Sequence, residues 1–343
     1  MKKFTILDLE QVFKDRRLGV FNTYGVKCSP TDFAILTGAY VYQFNHTKEG
    51  TNYRNRTCCW WLNNSYLGDV YTVDGNGNKA IQDVYENHFV VRPITTFSSV
   101  KNDIRNIRKD RFGTEIGEYG MYPNSLVEKR DSYKLEKIFK NNGLNMTGKV
   151  YKTDTKEFNE YKNHGNRFIR FVQDKDSYIK QLNDGTEIKK GNIYWLNVEP
   201  IEWLIDRKND IIIAKNGLVS DVKFDTKPHY YGKFEDTNIK RFLDNNFSIV
   251  ISSPKERIDQ FNDEFINDNI YNYQYNNLKK ISKKEKQRVL LDLLSSSDEK
   301  NDKKRQIAKQ MGDEYLKIYD ALKTYNSNTT IKRQSELKIY TKK

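Results

Sequence analysis

Residues 56–94 read RTCCWWLNNSYLGDVYTVDGNGNKAIQDVYENHFVVRPI. Cys58 to Leu62 is a continuous apolar run, too short for a helix of ordinary length, and Asn63, Asn64 and Ser65 break it. The spacing predicts a buried strand followed by a turn. Asp69–Val73 then alternates polar and apolar residues, Asp74-Gly75-Asn76-Gly77 supplies the positive-φ residues of a tight hairpin, and Phe89–Ile94 gives a closing strand ended by Pro93. These signals predict a small antiparallel β-unit centred on Trp60 and Trp61.

Upstream of this unit, Leu7–Phe13 predicts a short helix. In SPTDFAILTGAYVYQF, Ser29 or Thr31 can cap a second helix, with Pro30 at its first turn and Phe33, Ile35, Leu36, Ala39 and Tyr40 on its buried side. A strand begins at Val41, and the polar stretch from His46 to Asn55 reads as an exposed loop. Downstream, Ser98–Arg111 is charged and weakly periodic and reads as a linker or a peripheral helix. EIGEYGMYPNSLV is extended, and a helix from Ser132 carries Leu135, Ile138 and Phe139 until Asn141-Asn142-Gly143 stops it. Strands are expected at Phe168–Val172, Ile193–Val198, Ile201–Ile205 and Ile211–Ala214, with Asp206–Asp210 as a hairpin loop. A further helix starts at Thr237 and carries Ile239, Phe242, Leu243 and Phe247.

The composition agrees with a sheet-rich protein of ample core. Tyr (23) and Phe (18) dominate the aromatic residues while Ala occurs six times in 343 residues, so rings and β-branched side chains must fill the interior. MKKFTILDLEQVFKDRR lacks the apolar run of a secretory leader, and no stretch approaches a membrane span. Synthesis in the cytoplasm, with no membrane span, is the expectation. Cys28, Cys58 and Cys59 cannot close a disulfide framework, and reduced buried thiols are expected.

The charge is concentrated at one end. Residues 276–343 hold 18 Lys and Arg against 9 Asp and Glu, a net of +9 out of +13 for the chain. Ser282 and Glu285 form a capping-box pattern that opens a helix there. Ile307, Met311, Tyr315, Ile318, Leu322 and Tyr325 then recur every three or four residues, one apolar stripe suited to docking on a protein partner or a second copy. Lys279, Lys280, Lys283, Lys284, Arg288, Lys303, Lys304 and Arg305 are the candidate contacts to nucleic acid. RQIAKQMG starts like a helix-turn-helix, but Asp313 and Glu314 continue the helix where the turn belongs, which argues against base readout.

RTCCWWLNNS with HFVVRPI resembles the "WWLRS … GVRPAL" signature of an uncharacterised domain family of gut bacteria and their phages, related to the formylglycine-generating-enzyme and C-type-lectin-like folds. CSPTDFAILTGAYV, EYGMYPNSLV, TGKVY, YWLNVEPIEWLI, IIIAKNGLVSDVKF and FEDTNIKRFLDNNF are similar to other parts of the same family, so the resemblance covers most of residues 20–250. The WW/VRP half precedes the EPIEW half here, the reverse of the shorter family members. The resemblance implies an α+β, lectin-like fold of small antiparallel sheets with peripheral helices and a helical C-terminal tail. Its divisions would be a first half or subdomain at 1–104, a linker at 105–117, a second half or subdomain at 118–275 and the basic tail at 276–343. Trp60, Trp61, Arg92, Pro93, Trp195 and Trp203 are then its structural core, and the tryptophans are expected inside it.

Relatives in the enzyme branch use a copper-binding cysteine pair, for which Cys58-Cys59 is the candidate here. Neighbours in a strand point to opposite faces, so buried structural thiols are the expectation. Asp74, Asn76 and Asn78 occupy the first ligand positions of a calcium loop, but Lys79 stands in the glycine position and Tyr85 in that of the bidentate Glu, which favours a hairpin turn. Lectin-type calcium would add a Glu-Pro-Asn motif, from which Glu199-Pro200-Ile201 departs. His46, His88, His164 and His229 are scattered, and no Walker or Rossmann glycine pattern occurs. No catalytic residue, metal ligand or cofactor is therefore expected. Three function classes follow: a non-enzymatic recognition or assembly protein, most concretely a virion or host-attachment component of a phage; a nucleic-acid-associated or anti-defence protein acting through the tail; and a redox enzyme of the formylglycine-generating type.

Overall fold

Capping side chains set the first helices. In the computed structural model, which describes residues 3–14, 16–23, 25–42, 56–227 and 229–251, α1 (Leu9–Phe13) starts at a reciprocal capping box between Asp8 and Gln11. The short α2 (Val20–Thr23) follows, and α3 (Asp32–Leu36) is capped by the Thr31 hydroxyl, which accepts from the Ala34 N–H at 3.0 Å. The chain then forms β1 (Val41–Tyr42), β2 (Thr57–Cys58), β3 (Trp60–Tyr66), β4 (Asp69–Val73) and β5 (Lys79–Gln82). Of these, β3, β4 and β5 make a three-stranded antiparallel sheet, and β1 pairs with β2.

The second sheet has eight strands. β6 (Ile94–Thr96) leads into α4 (Phe97–Val100), β7 (Arg105–Lys109), β8 (Glu115–Leu126) and α5 (Lys129–Lys140). β9 (Asn145–Lys152), β10 (Glu157–Asn163), β11 (Asn166–Val172), β12 (Ile193–Asp206) and β13 (Ile211–Ala214) follow. The order is β6-β13-β12-β11-β10-β9, with β8 also on β12 and β7 on β8. The long β12 is the spine: its first part pairs with β11, its second with β13, and β8 runs along both. α6 (Asn238–Phe242), capped by Thr237, runs through a π turn into α7 (Ser248–Ile251). The result is a mixed fold in which antiparallel sheets dominate and helices are few.

Several expectations change. The strand at Trp60 does not stop at Asn63–Ser65; it continues to Tyr66 through a register shift between Trp61 and Ser65, which absorbs the polar residues. Phe89–Ile94 does not close the small sheet. Val90 and Val91 make single bridges to Trp60 and Val219, and Ile94 begins β6 in the large sheet, so this segment joins the two sheets. Residues 105–117, expected as a linker, form β7, its turn and the start of β8, because Arg105, Arg108 and Lys109 find register partners there. Ile193–Val198 and Ile201–Ile205 are one strand. Glu199-Pro200 does not break it, since register shifts on either side of the dipeptide place the proline where a ladder N–H is not needed.

One hydrophobic core runs from Phe4 to Ile251 and draws on both sides of residues 105–117. The described residues of 2–145 and 150–251 fall in one compact unit. A satellite cluster of Val127, Leu135, Tyr161, Phe168 and Trp195 packs under α5. Glycine is required where backbones meet side chains closely: a Cβ on Gly75 would lie 2.2 Å from the Tyr42 ring, and one on Gly217 would lie 2.3 Å from Val90. Among the described residues no helix is long and apolar enough to cross a membrane. The tail expectations, with the stripe from Ile307 to Tyr325 and the basic positions from Lys279 to Arg305, lie outside the described residues.

Candidate functional site

The small sheet has two unlike faces. Its inner face carries Trp61, Val70 and Thr72, all buried. Its outer face carries Tyr71 opposite Ile81, with Tyr66 opposite Asp69. The rings of Tyr66 and Tyr71 lie 5.8 Å apart, and Lys79 Nζ sits 5.3 Å from the Tyr71 ring centroid. At the β3–β4 turn, Leu67 has φ 49° and is 79% exposed.

A distant segment completes this face. Tyr230 is buried against Phe224 at 4.9 Å, and its N–H donates to the Gly68 carbonyl at 2.8 Å, which pins residues 229–231 beside the turn. Tyr231 is thereby held outward, 75% exposed, with its hydroxyl donating to the Leu67 carbonyl at 3.4 Å. Tyr66, Leu67, Ile81 and Tyr231 are exposed around the half-buried Tyr71, an aromatic and aliphatic surface on a rigid support. Such rings contribute contact area at little cost in side-chain freedom and keep a hydroxyl for polar pairing.

The six expected core residues are all buried, but they do not form one group. Arg92 lies over the Trp60 ring at 4.9 Å and the Phe21 ring at 5.6 Å; its Nε–H donates to the Ala214 carbonyl at 2.9 Å. The Pro93 carbonyl accepts from the Ala214 N–H at 2.9 Å, so the VRP segment is stitched to β13. Trp203 packs near Phe4 and Tyr119, and Trp195 belongs to the satellite cluster.

The cysteines are buried free thiols, as expected, and Cys58 and Cys59 face different neighbours. Cys58 faces Cys28 across an antiparallel bridge, with the Cys58 thiol 3.3 Å from the Cys28 carbonyl, whereas Cys59 points to Tyr42 and Gly75. All three are buried and free. Burial pushes the Cys59 thiol up to about 11. The Asp74 loop is a hairpin turn in which one carboxylate oxygen accepts the N–H groups of Asn76 and Asn78, both at 2.8 Å. His88 meets the Gly38 carbonyl, His164 sits in a β-turn with φ 46°, and His229 lies beside Tyr231; His46 is outside the described residues. Among the described residues no three His, Cys, Asp or Glu side chains gather to hold a metal ion.

A groove of about 870 Å³ lies between the α1–α2 segment and the β12–β13 turn, lined by Arg16, Arg17, Lys109, Arg207 and Lys208. Arg16 is paired with Asp8 and Glu10, and Arg207 with Glu115. No protein-family profile, curated protein or solved structure matches this chain.

Proposed function

We propose that this chain is a non-enzymatic recognition or assembly protein, a lectin-like α+β scaffold that meets a protein partner through the face of Tyr66, Leu67, Tyr71, Ile81 and Tyr231. The observation that carries this reading is that face itself: four large side chains, Tyr66, Leu67, Ile81 and Tyr231, exposed around the half-buried Tyr71, on a sheet whose opposite side carries the buried Trp61. Tyrosine-rich, rigidly backed surfaces have the composition of the buried centre of protein interfaces. The resemblance to the WW/VRP domain family of bacteria and phages makes a virion or host-attachment component the most concrete form of the proposal. The basic segment 276–343 then serves as a second attachment.

Purification at moderate salt, followed by mass measurement and identification of co-purifying chains, tests this. A large assembly, or a stable complex that dissociates in the Tyr71→Ala, Tyr231→Ala double variant, supports the reading. A partner-free monomer from the native context overturns it.

A second reading, a nucleic-acid-associated protein, is favoured by the groove at Lys109 and Lys208, which have no carboxylate partner among the described residues, and by the charge of residues 276–343. Binding of this kind falls steeply with salt and weakens on deletion of 276–343 or on Lys109→Ala with Lys208→Ala. A salt-insensitive signal, or none, excludes it.

A further inference from the structure

The groove between the α1–α2 segment and the β12–β13 turn has a third wall, the β7–β8 hairpin, which contributes Lys109, Gly113, Thr114 and Glu115. Five cations and two carboxylates line it, and both carboxylates are already engaged. Glu115 is paired with Arg207. Asp206 is buried, with one oxygen taking the Gly19 N–H at 2.9 Å and the other the Asn209 N–H at 3.2 Å. Arg16 is occupied by Asp8 and Glu10, outside the lining. That leaves Arg17, Lys109 and Lys208, all exposed and without a carboxylate partner among the described residues; Arg17 gives one N–H to the Phe21 carbonyl at 3.0 Å. A concave surface with this surplus of positive charge draws anions.

The hairpin tip adds a ring to these charges. Asp110 Oδ1 accepts the N–H groups of Phe112 and Thr114, both at 2.9 Å, and Gly113, with φ 82°, donates to the Asp110 carbonyl at 3.1 Å. The turn is thus fixed by Asp110 and Gly113, and nothing in it calls for an aromatic residue between them. Phe112 nevertheless stands there, 50% exposed, outside both hydrophobic clusters and next to the Gly113 of the lining. The Arg111 guanidinium lies 4.7 Å from its ring centroid.

The free cations sit on three separate walls of an open groove, an arrangement that suits several spaced anionic groups better than one small anion. A cationic groove with an aromatic ring at its rim is the combination by which proteins hold single strands: phosphates follow the charges and a base stacks on the ring. A duplex offers the phosphates but keeps its base faces stacked inside. Inorganic polyphosphate offers charge and no planar face. Phe112 is the feature that separates these ligands.

We propose that this groove and the Phe112 tip bind single-stranded nucleic acid, with Arg17, Lys109 and Lys208 on its phosphates and a base stacked on Phe112. The proposal rests on the nucleic-acid reading of the groove and adds to it the strandedness of the ligand and the ring that selects it. The test is fluorescence anisotropy on the full chain with a labelled oligothymidylate of about 15 nucleotides, within the usual span of a single-strand groove, and a duplex of equal length. The single strand should bind several-fold tighter than the duplex. Phe112→Ala should weaken the single strand about tenfold and leave the duplex unchanged, whereas Phe112→Trp should keep the affinity. Lys109→Ala with Lys208→Ala should lower the slope of log K against log salt by about 1.4, two phosphate contacts at about 0.7 each. The thermal midpoint of each variant confirms that it folds. Photocrosslinking of an iodouracil-substituted strand should mark the tryptic fragment 112–129, which begins at Phe112. Indifference to Phe112→Ala, or crosslinks confined to residues 276–343, overturns the proposal. Equal binding of strand and duplex, with the salt slope still lowered by the two lysine changes, overturns it and leaves the nucleic-acid reading standing. Binding of neither overturns both.

Discussion

Trp60 and Trp61 are as completely buried as Trp195 and Trp203, yet only the second pair is hydrogen-bonded. Trp203 Nε1–H donates to the Tyr119 carbonyl at 2.8 Å, and Trp195 Nε1–H to Glu136 at 3.1 Å. The indole N–H groups of Trp60 and Trp61 find no partner among the described residues. Adjacent on β3, these two rings point to opposite sides: Trp60 to Phe21 and Arg92, Trp61 to Phe89 at 4.8 Å and Phe224 at 5.7 Å. The strand is buried on both faces, and contact area outweighs two unsatisfied donors. In the β12 region, by contrast, each ring is also oriented by a polar partner. Large area tolerates a polar defect in the first region, while the second combines area with direction.

The largest effect expected from this contrast is truncation in the first region. Trp60→Ala or Trp61→Ala should cost about 3–5 kcal/mol, read as a lower urea midpoint, because each empties a site with no solvent to fill it. A loss below about 1 kcal/mol would mean that these two rings are not the packing centre of β3.

Next in size is the neighbouring thiol. Cys59 is raised by burial from 9.0 to about 11, so below pH 9 both folded and unfolded chains carry the thiol, and above it the unfolded chain ionises first. Stability should fall from pH 9 toward 11 by about 2–3 kcal/mol through this group alone. Cys59→Ala should lack that part of the alkaline loss; urea titrations of both proteins at pH 8 and pH 11 make the comparison. Equal losses in the two proteins would show that Cys59 is not desolvated.

The contrast is sharpened by Trp→Phe changes. Trp203→Phe leaves the Tyr119 carbonyl without its donor and should cost about 2 kcal/mol more than Trp61→Phe, which removes an N–H that had no partner. Equal costs would reveal an unseen partner for Trp61.

The smallest effect belongs to Glu136. Two hydrogen bonds from Arg170, at 2.9 and 3.0 Å, hold its carboxyl below the usual 4.5, with Trp195 adding to them. The stabilisation is present above about pH 4.5 and lost as pH falls through the lowered value. Glu136→Gln should cost about 1–2 kcal/mol at pH 7 and flatten the acid limb below pH 4.5.

Local signals predicted local structure well. The run from Asp74 to Gly77 folds as the hairpin its turn residues specify, and Thr31 and Thr237 cap the helices they precede. The alternation of Asp69–Val73 predicted β4 itself. That Tyr231 joins the outer face beside it was not legible, since it reaches that face only through Tyr230, which is buried more than 150 positions along the chain from Gly68. The basic groove shows the same limit. Arg17, Lys109 and Lys208 were visible in three separate charged runs, but no spacing rule brings them together. Cys58 was read against its neighbour Cys59, whereas strand pairing sets it opposite Cys28.

The sequence by itself determined the sheet-rich class, the hairpin, the capped helices and the burial of all four tryptophans, because those follow from side-chain chemistry within a few residues. Tertiary structure alone decided that Phe89–Ile94 ties the two sheets together, that residues 105–117 are a hairpin and not a linker, and that β12 continues through Glu199-Pro200. Each of these depends on which distant backbone offers the complementary N–H and C=O groups. A strand can be recognised from its own residues, but its neighbours are chosen by the packing of the whole core.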